Sequence, residues 1–220
     1  MVVRRYRSTD RAAVRRICCD TADRGEPVEQ FFHDRDVFAD LLTVYYTEEE
    51  PSSVWVAEHD GRVVGYLTGC LDSRRYRRAT AWRIVPRAVL NGLRRGHLGS
   101  VKTWRLAWAA LRTWRYRWGR APLPLADYPA HIHLNVERAF RGRGLGRQLL
   151  ERFMASARSA GVPGLYAAVR ADNTPSCHLF ERMGFHEVNR YPVIFPDGAV
   201  LRRHETIIYG KRLAPPSAET

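Results

Sequence analysis

The chain is poor in lysine, poor in cysteine and without any long apolar run, and each shortage excludes something. Lys102 and Lys211 are its only lysines, so arginine carries 34 of the 36 basic side chains. The four cysteines are Cys18, Cys19, Cys70 and Cys177. No two stand at the spacing of a zinc clip or a redox dithiol, and reduced thiols are expected. No stretch approaches the roughly 18 uninterrupted apolar residues of a membrane span. Met1-Val2-Val3-Arg4-Arg5-Tyr6 lacks the apolar core of a secretory signal. A soluble, cytoplasmic protein with no membrane partner is therefore expected. No Gly-Lys precedes Ser or Thr, which removes a Walker loop.

What is present is an ordinary globular composition. Among the 220 residues, 45% are hydrophobic and 27% charged, enough to bury a core. Aromatics make up 11% and run along the whole length, which excludes intrinsic disorder. The net charge of +13 is local: Arg74 to Ala126 holds 14 basic residues and no acidic one.

The order of elements is that of an α/β protein. Val2–Tyr6 reads as a strand, and Ser8-Thr9-Asp10 supplies cap chemistry for a helix with Ala13, Val14, Ile17 and Cys18 on one face. A second helical stretch follows Pro27, carrying Phe31, Phe32, Val37, Phe38, Leu41, Leu42 and Tyr45. Residues 53–58 and 62–67 are β-rich and flank Asp60-Gly61, a hairpin signal. Residues 72–126 read as a basic helical insertion within a single domain spanning 1–213, with 214–220 a disordered tail. In it Val101, Trp104, Trp108, Leu111 and Trp118 recur at helical spacing, with Lys102, Arg105, Arg112 and Arg115 around the other side. That stripe is expected to be core, buried against the domain or a second copy of the chain. On this reading nucleic acid is not a partner.

The second half alternates more regularly. His131–Val136 is a strand, with His131, His133 and Asn135 on one face and Ile132, Leu134 and Val136 on the other. Leu145, Leu149, Phe153, Ala157 and Ala160 line a helix closed by Gly161. Residues 164–169 form a strand, 175–183 a short helix, and two closing strands surround Pro196-Asp197-Gly198. Between the first strand and its helix lies Arg141-Gly142-Arg143-Gly144-Leu145-Gly146-Arg147. Alternate glycines at a strand-to-helix junction let backbone N–H groups curl inward, and the helix start adds about half a positive charge. That is a phosphate cradle. A dinucleotide fingerprint is excluded, because its third glycine would fall on Arg147.

This constellation resembles the GCN5-related N-acetyltransferase (GNAT) superfamily. Arg141, Gly144 and Gly146 match its acetyl-CoA signature, and Asn173 followed by Phe180-Glu181-Arg182-Met183-Gly184-Phe185 matches its later segment. A narrower resemblance, to the acetyltransferase-like C-terminal domain of O-GlcNAcase and its bacterial relatives, rests on Tyr128–His133 and Gly161-Val162-Pro163-Gly164. The superfamily resemblance implies a mixed, mostly antiparallel sheet, partly splayed, with helices on both faces. It implies acetyl-CoA as cosubstrate, no metal, and an amine or peptide acceptor. Leu134, Asn135 and Val136 would serve the pantetheine arm, and Arg141, Gly142, Arg143, Gly144, Leu145, Gly146 and Arg147 the phosphates. Asn173 and Phe180 would line the pantetheine region.

The resemblance leaves the chemistry open. The family often places a proton-donating tyrosine where this chain has Phe180, and some relatives a glutamate where it has Ala168. Asp127, His131 and His133 remain as base candidates, with Cys177 and Tyr166 as substitutes for the acid. Two functions stand: an acetyl-CoA-dependent N-acetyltransferase working by direct attack, and a CoA-binding pseudo-acetyltransferase acting as an interaction module.

Overall fold

The computed structural model describes residues 1–96, 100–117, 124–197 and 200–213. Seven strands form one sheet: β1 (Val2–Arg5), β2 (Val54–His59), β3 (Arg62–Cys70), β4 (Ala130–Val136), β5 (Gly164–Arg170), β6 (His186–Asp197) and β7 (Val200–Arg212). Their order across the sheet is β1-β2-β3-β4-β5-β7-β6, and among the described residues only the β4–β5 pair is parallel. A parallel pair needs a crossover, and α6 (Leu145–Ser159) supplies it. Leu145, Leu149, Leu150, Phe153 and Ala157 recur every three or four residues, and all are buried against Leu67, Ile132, Leu165 and Ala167 of the sheet.

The other face carries α1 (Arg11–Asp20), whose Val14, Ile17 and Cys18 sit on Val56, Val63 and Tyr66. Next to it lies α2 (Arg35–Val44), capped by Asp34, whose carboxylate accepts from the Val37 N–H at 3.0 Å. The α2 chain continues into a π-helical turn, Tyr45–Glu49, which buries both Tyr45 and Tyr46. Phe31 and Phe32 precede α2 rather than belong to it. All four cysteines are free and buried. Desolvation pushes the Cys18 and Cys19 thiols up to about 12 and about 11, so neither is a thiolate at neutral pH.

The 72–126 segment is helical where it is described: α3 (Ser73–Ala79), α4 (Val85–Arg94) and α5 (Val101–Arg117). α5 lies against β6, and Thr113 Oγ1 accepts from the Ile194 N–H at 2.9 Å. The expected tryptophan core is not what the fold builds. Trp104 and Trp108 are 63% and 55% exposed, and Val101 and Leu111 are exposed with them. The inward face of α5 is instead Leu106, Ala109 and Thr113, the last bonded to β6. Trp118 and residues 214–220 lie outside the described residues. The last helix, α7 (Thr174–Arg182), follows β5 and buries Cys177 and Phe180 in the core that α6 shares.

Candidate active site

The sheet opens in its middle. β4 and β5 pair at Ala130↔Leu165 and His131↔Tyr166, and the described ladder ends there. β4 stays bonded to β3 as far as Val136, and β5 to β7 as far as Arg170. The two strands therefore diverge into a wedge, one wall of which is the β4 backbone from His133 to Val136. Peptide groups on such an edge can bond an extended ligand as a further strand would.

The glycine turn lies where this wedge reaches the start of α6. After a short turn at Arg138–Phe140, Gly142 and Gly144 take left-handed φ angles of 74° and 77°, and α6 begins at Leu145. A side chain would cost roughly 1–2 kcal/mol at each of these two positions. The first N–H groups of a 15-residue helix have no acceptors within the helix and point outward. A Cβ on Gly146 would meet Leu179 at 3.1 Å and Leu134 at 3.6 Å, so the bare backbone lets α6 close on α7 and β4. Leu145 is core. The three arginines differ in use. Arg141 Nε donates to the Val136 carbonyl at 3.0 Å and braces the turn, with burial and Arg138 lowering its pKa. Arg143 stands 5.3 Å over the Phe140 ring, and Arg147 pairs with Glu151 at 3.2 Å. This cradle of free N–H groups beside exposed cations fits a pyrophosphate.

His131 and His133 share a strand face but not an environment. His131 is buried between two hydroxyls, with Tyr46 at 2.7 Å from Nε2 and Ser73 at 2.7 Å from Nδ1. Ser73 spends its single proton on the Pro129 carbonyl at 2.6 Å. Its oxygen can then only accept, so Nδ1 carries the imidazole proton and Tyr46 donates to Nε2. Burial, with His133 and Arg77 adding to it, holds His131 well below its ordinary pKa. The ring is neutral, fully bonded and closed to substrate. His133 is solvent-exposed, with the Tyr46 and His131 rings each 5.8 Å away, and partial desolvation lowers its pKa below the ordinary imidazole value. Of the two, only His133 offers an accessible imidazole to the wedge. Tyr46, Tyr76 and Tyr166 ring the pair, with Tyr166 at the point where the strands part.

The remaining predicted residues scatter. Asn135 Nδ2 donates to Thr21 Oγ1 at 2.6 Å. Asn173 caps α7, its carbonyl oxygen accepting from the Ser176 N–H at 3.4 Å. Phe180 does not line the opening: it is buried against Phe185 and Tyr209, with ring centroids 5.1 and 6.0 Å away. Cys177 is also buried, its thiol directed at the Arg170 carbonyl. Asp127 lies at the closed end of the wedge, beside the start of β5, where it pairs with Arg212 at 2.9 Å.

One part of the site is absent from the sequence reading. Residues 21–26 form a tight loop, closed by Asp23 and Glu26 bonding each other's backbone, that reaches both walls. Thr21 holds Asn135 on β4, and the Arg141 guanidinium lies over Gly25. Arg170, the last residue of β5, bonds Asp23 at 2.8 Å, Asp172 at 2.7 Å and His204 at 2.9 Å. Arg24-Gly25 was the available signal, as a turn between two helices.

Comparison with known proteins agrees with this geometry. YwnH of Bacillus subtilis is 32% identical over 109 residues, 49% of this chain and 61% of that protein. The ribosomal protein bS18-alanine N-acetyltransferase of Salmonella typhimurium is 39% identical over 70 residues, 30% of this chain and 47% of that one. The chain thus spans about half the length of the curated relatives it matches. A solved structure described as SsHAT superposes with a TM-score of 0.68 at 26% identity, covering 97% of this chain and 98% of its own. Residues 16–185, and with them the wedge, the glycine turn and both histidines, match the sequence model of the acetyltransferase (GNAT) family, to which this chain belongs.

Proposed function

We propose that this protein transfers an acetyl group from acetyl-CoA to an amine. The observation that carries the proposal is the coincidence of the parted β4 and β5 with the Gly142–Gly146 turn, one offering unpaired strand edge and the other a phosphate cradle. Acetyl-CoA supplies an acyl group activated as a thioester. The N–H groups from Gly142 to Gly146 hold its phosphates, with Arg143 and Arg147 in reach of the outer ones. Backbone groups of Leu134, Asn135 and Val136 hold the pantetheine arm, and the Asn173 amide nitrogen bonds it from the other wall. His133, neutral at pH 7, takes the proton the amine loses as it displaces the CoA thiolate, and its lowered pKa makes it a weak base for that task. The acceptor enters on the His133 face, beneath the 21–26 loop.

The two segments that resemble the O-GlcNAcase domain lie together: the Tyr128 ring would touch a Cβ placed on Gly164. The β4–β5 pairing brings them together, and the narrower kinship, part of the proposal, rests on the residues of the two segments themselves. A second reading, CoA binding without turnover, is favoured by Phe180, since no proton donor reaches the wedge from that position of α7.

Calorimetry with CoA and a thiol-release assay over a panel of amines test both. Wild type is expected to bind, and Gly144→Val to lose binding by at least tenfold through its left-handed backbone. Turnover above the uncatalysed rate selects the enzyme, and binding without it selects the module. Equal affinity of the two proteins for CoA would remove the cradle from the argument.

A further inference from the structure

The helices of the basic segment are built with their small residues inward and their bulky apolar residues outward. α4 buries Ala88 and Gly92 and exposes Val89, Leu90 and Leu93. α5 buries Ala109 and exposes Val101, Trp108 and Leu111. Trp82, just before α4, is 82% exposed. Single exposed apolar residues are ordinary. Repeats of them at helical spacing give each of two successive helices an apolar outward face of the kind that meets a partner. Ala88 and Leu106 join one cluster with Phe31, Phe32 and Phe195, so both helices stand on a packed base.

The charge of the segment says what that partner is. From Arg74 to Ala126 there is no acidic residue against 14 basic ones. Arg87 and Arg94 on α4, and Arg112 and Arg115 on α5, are exposed beside the apolar stripes. A second copy of the chain meeting this face symmetrically would set like charge against like charge. Nucleic acid would satisfy the arginines and stack on tryptophan, but leucine and valine have no π-face to offer it. Aliphatic side chains, indoles and guanidinium groups together match the boundary between lipid headgroups and acyl chains. There leucine and valine enter the hydrocarbon, tryptophan sits at the interface, and arginine reaches back to phosphate. We propose that the outward faces of α4 and α5 dock this protein on an anionic phospholipid surface. The contact is peripheral: among the described residues no helix is long and apolar enough to cross a membrane.

Co-sedimentation of the full chain with vesicles tests it. Vesicles of phosphatidylcholine containing phosphatidylglycerol should bind the protein, with a blue shift of tryptophan emission and release by salt, while pure phosphatidylcholine should bind it weakly. Arg112→Gln with Arg115→Gln should weaken partition roughly thirtyfold, at about fivefold per lost cation. Trp108→Ser with Leu111→Ser should weaken it at least as much, and Val89→Ser with Leu93→Ser should do so from the other helix. Melting curves of all three should match wild type, because the changed side chains are exposed. Three results would each overturn the proposal. One is equal binding to charged and neutral vesicles. Another is absence of vesicle binding alongside single-strand DNA binding that Trp108→Ser abolishes. The third is a solution dimer that the same substitution dissociates.

Discussion

Replacing Tyr46 by phenylalanine removes one oxygen from the buried cluster around His131 and leaves the shape of the side chain intact. In the wild type the Tyr46 hydroxyl donates to Nε2 at 2.7 Å while Nδ1–H is held by Ser73. Tyr46 is 1% exposed and His131 4%, so no water replaces the lost donor. A buried acceptor left without a partner costs about 1–3 kcal/mol. In a chain of this length each kcal/mol moves the melting temperature by about 2–4 °C, so Tyr46→Phe should melt roughly 2–12 °C lower. Ser73→Ala should do comparable damage from the other side of the ring by stranding Nδ1–H. Nitrogen-15 NMR of the imidazole should report the Nδ1–H tautomer at neutral pH. Melting unchanged in Tyr46→Phe, or an Nε2–H tautomer in wild type, would refute the network. Full stability with lost acetyl transfer would hand the base role back to His131.

The exposed tryptophan stripe gives a second contrast. Phe153→Ala, at a fully buried ring under the sheet, should cost about 3–5 kcal/mol, whereas Trp108→Ala should shift the thermal melt by little. Equal losses would mean that Trp108 is core after all. The two histidines also set a pH dependence. Both have native pKa values below the ordinary 6.5, so the unfolded chain binds more protons on acidification. Their contribution is complete above about 6.5 and is lost as pH falls from there towards 4 and below. Melting temperature should therefore decline between pH 7 and 4, and His131→Gln with His133→Gln should flatten that decline. A melt independent of pH over this interval would contradict it.

Much of this was legible from residue order. The alternation of His131–Val136, the four-residue spacing of Leu145, Leu149, Phe153 and Ala157 and the glycines between them report their own local conformation. So the central strand, the crossover helix and the turn appear in the sequence as in the structure. Position relative to distant chain does not appear there. His131 and His133 look equivalent in sequence, and Tyr46 and Ser73, 85 and 58 residues away, make them differ. The stripe on α5 is a real stripe, but a stripe specifies a face and not what covers it. Ala109 and Thr113 mark the face that β6 reaches, and small residues carry a weaker signal than indoles. Asp127 is a base candidate by residue type alone, yet Arg212 meets it at the closed end of the wedge.

The two-pair seam between β4 and β5 has a consequence for how force and motion divide the molecule. On one side stands a meander of β1 to β4, and on the other the trio β5, β7 and β6. Two rungs of a ladder are little to join two sub-sheets, and the bonds that resist shear between them come chiefly from the side chains of α6 beneath and the 21–26 loop above. Cooperative opening follows lines of sparse bonding, so this seam is the natural border between two units of hydrogen exchange. Any molecule lodged along it acts as a rivet, and the rigidity it confers belongs to the junction more than to either half.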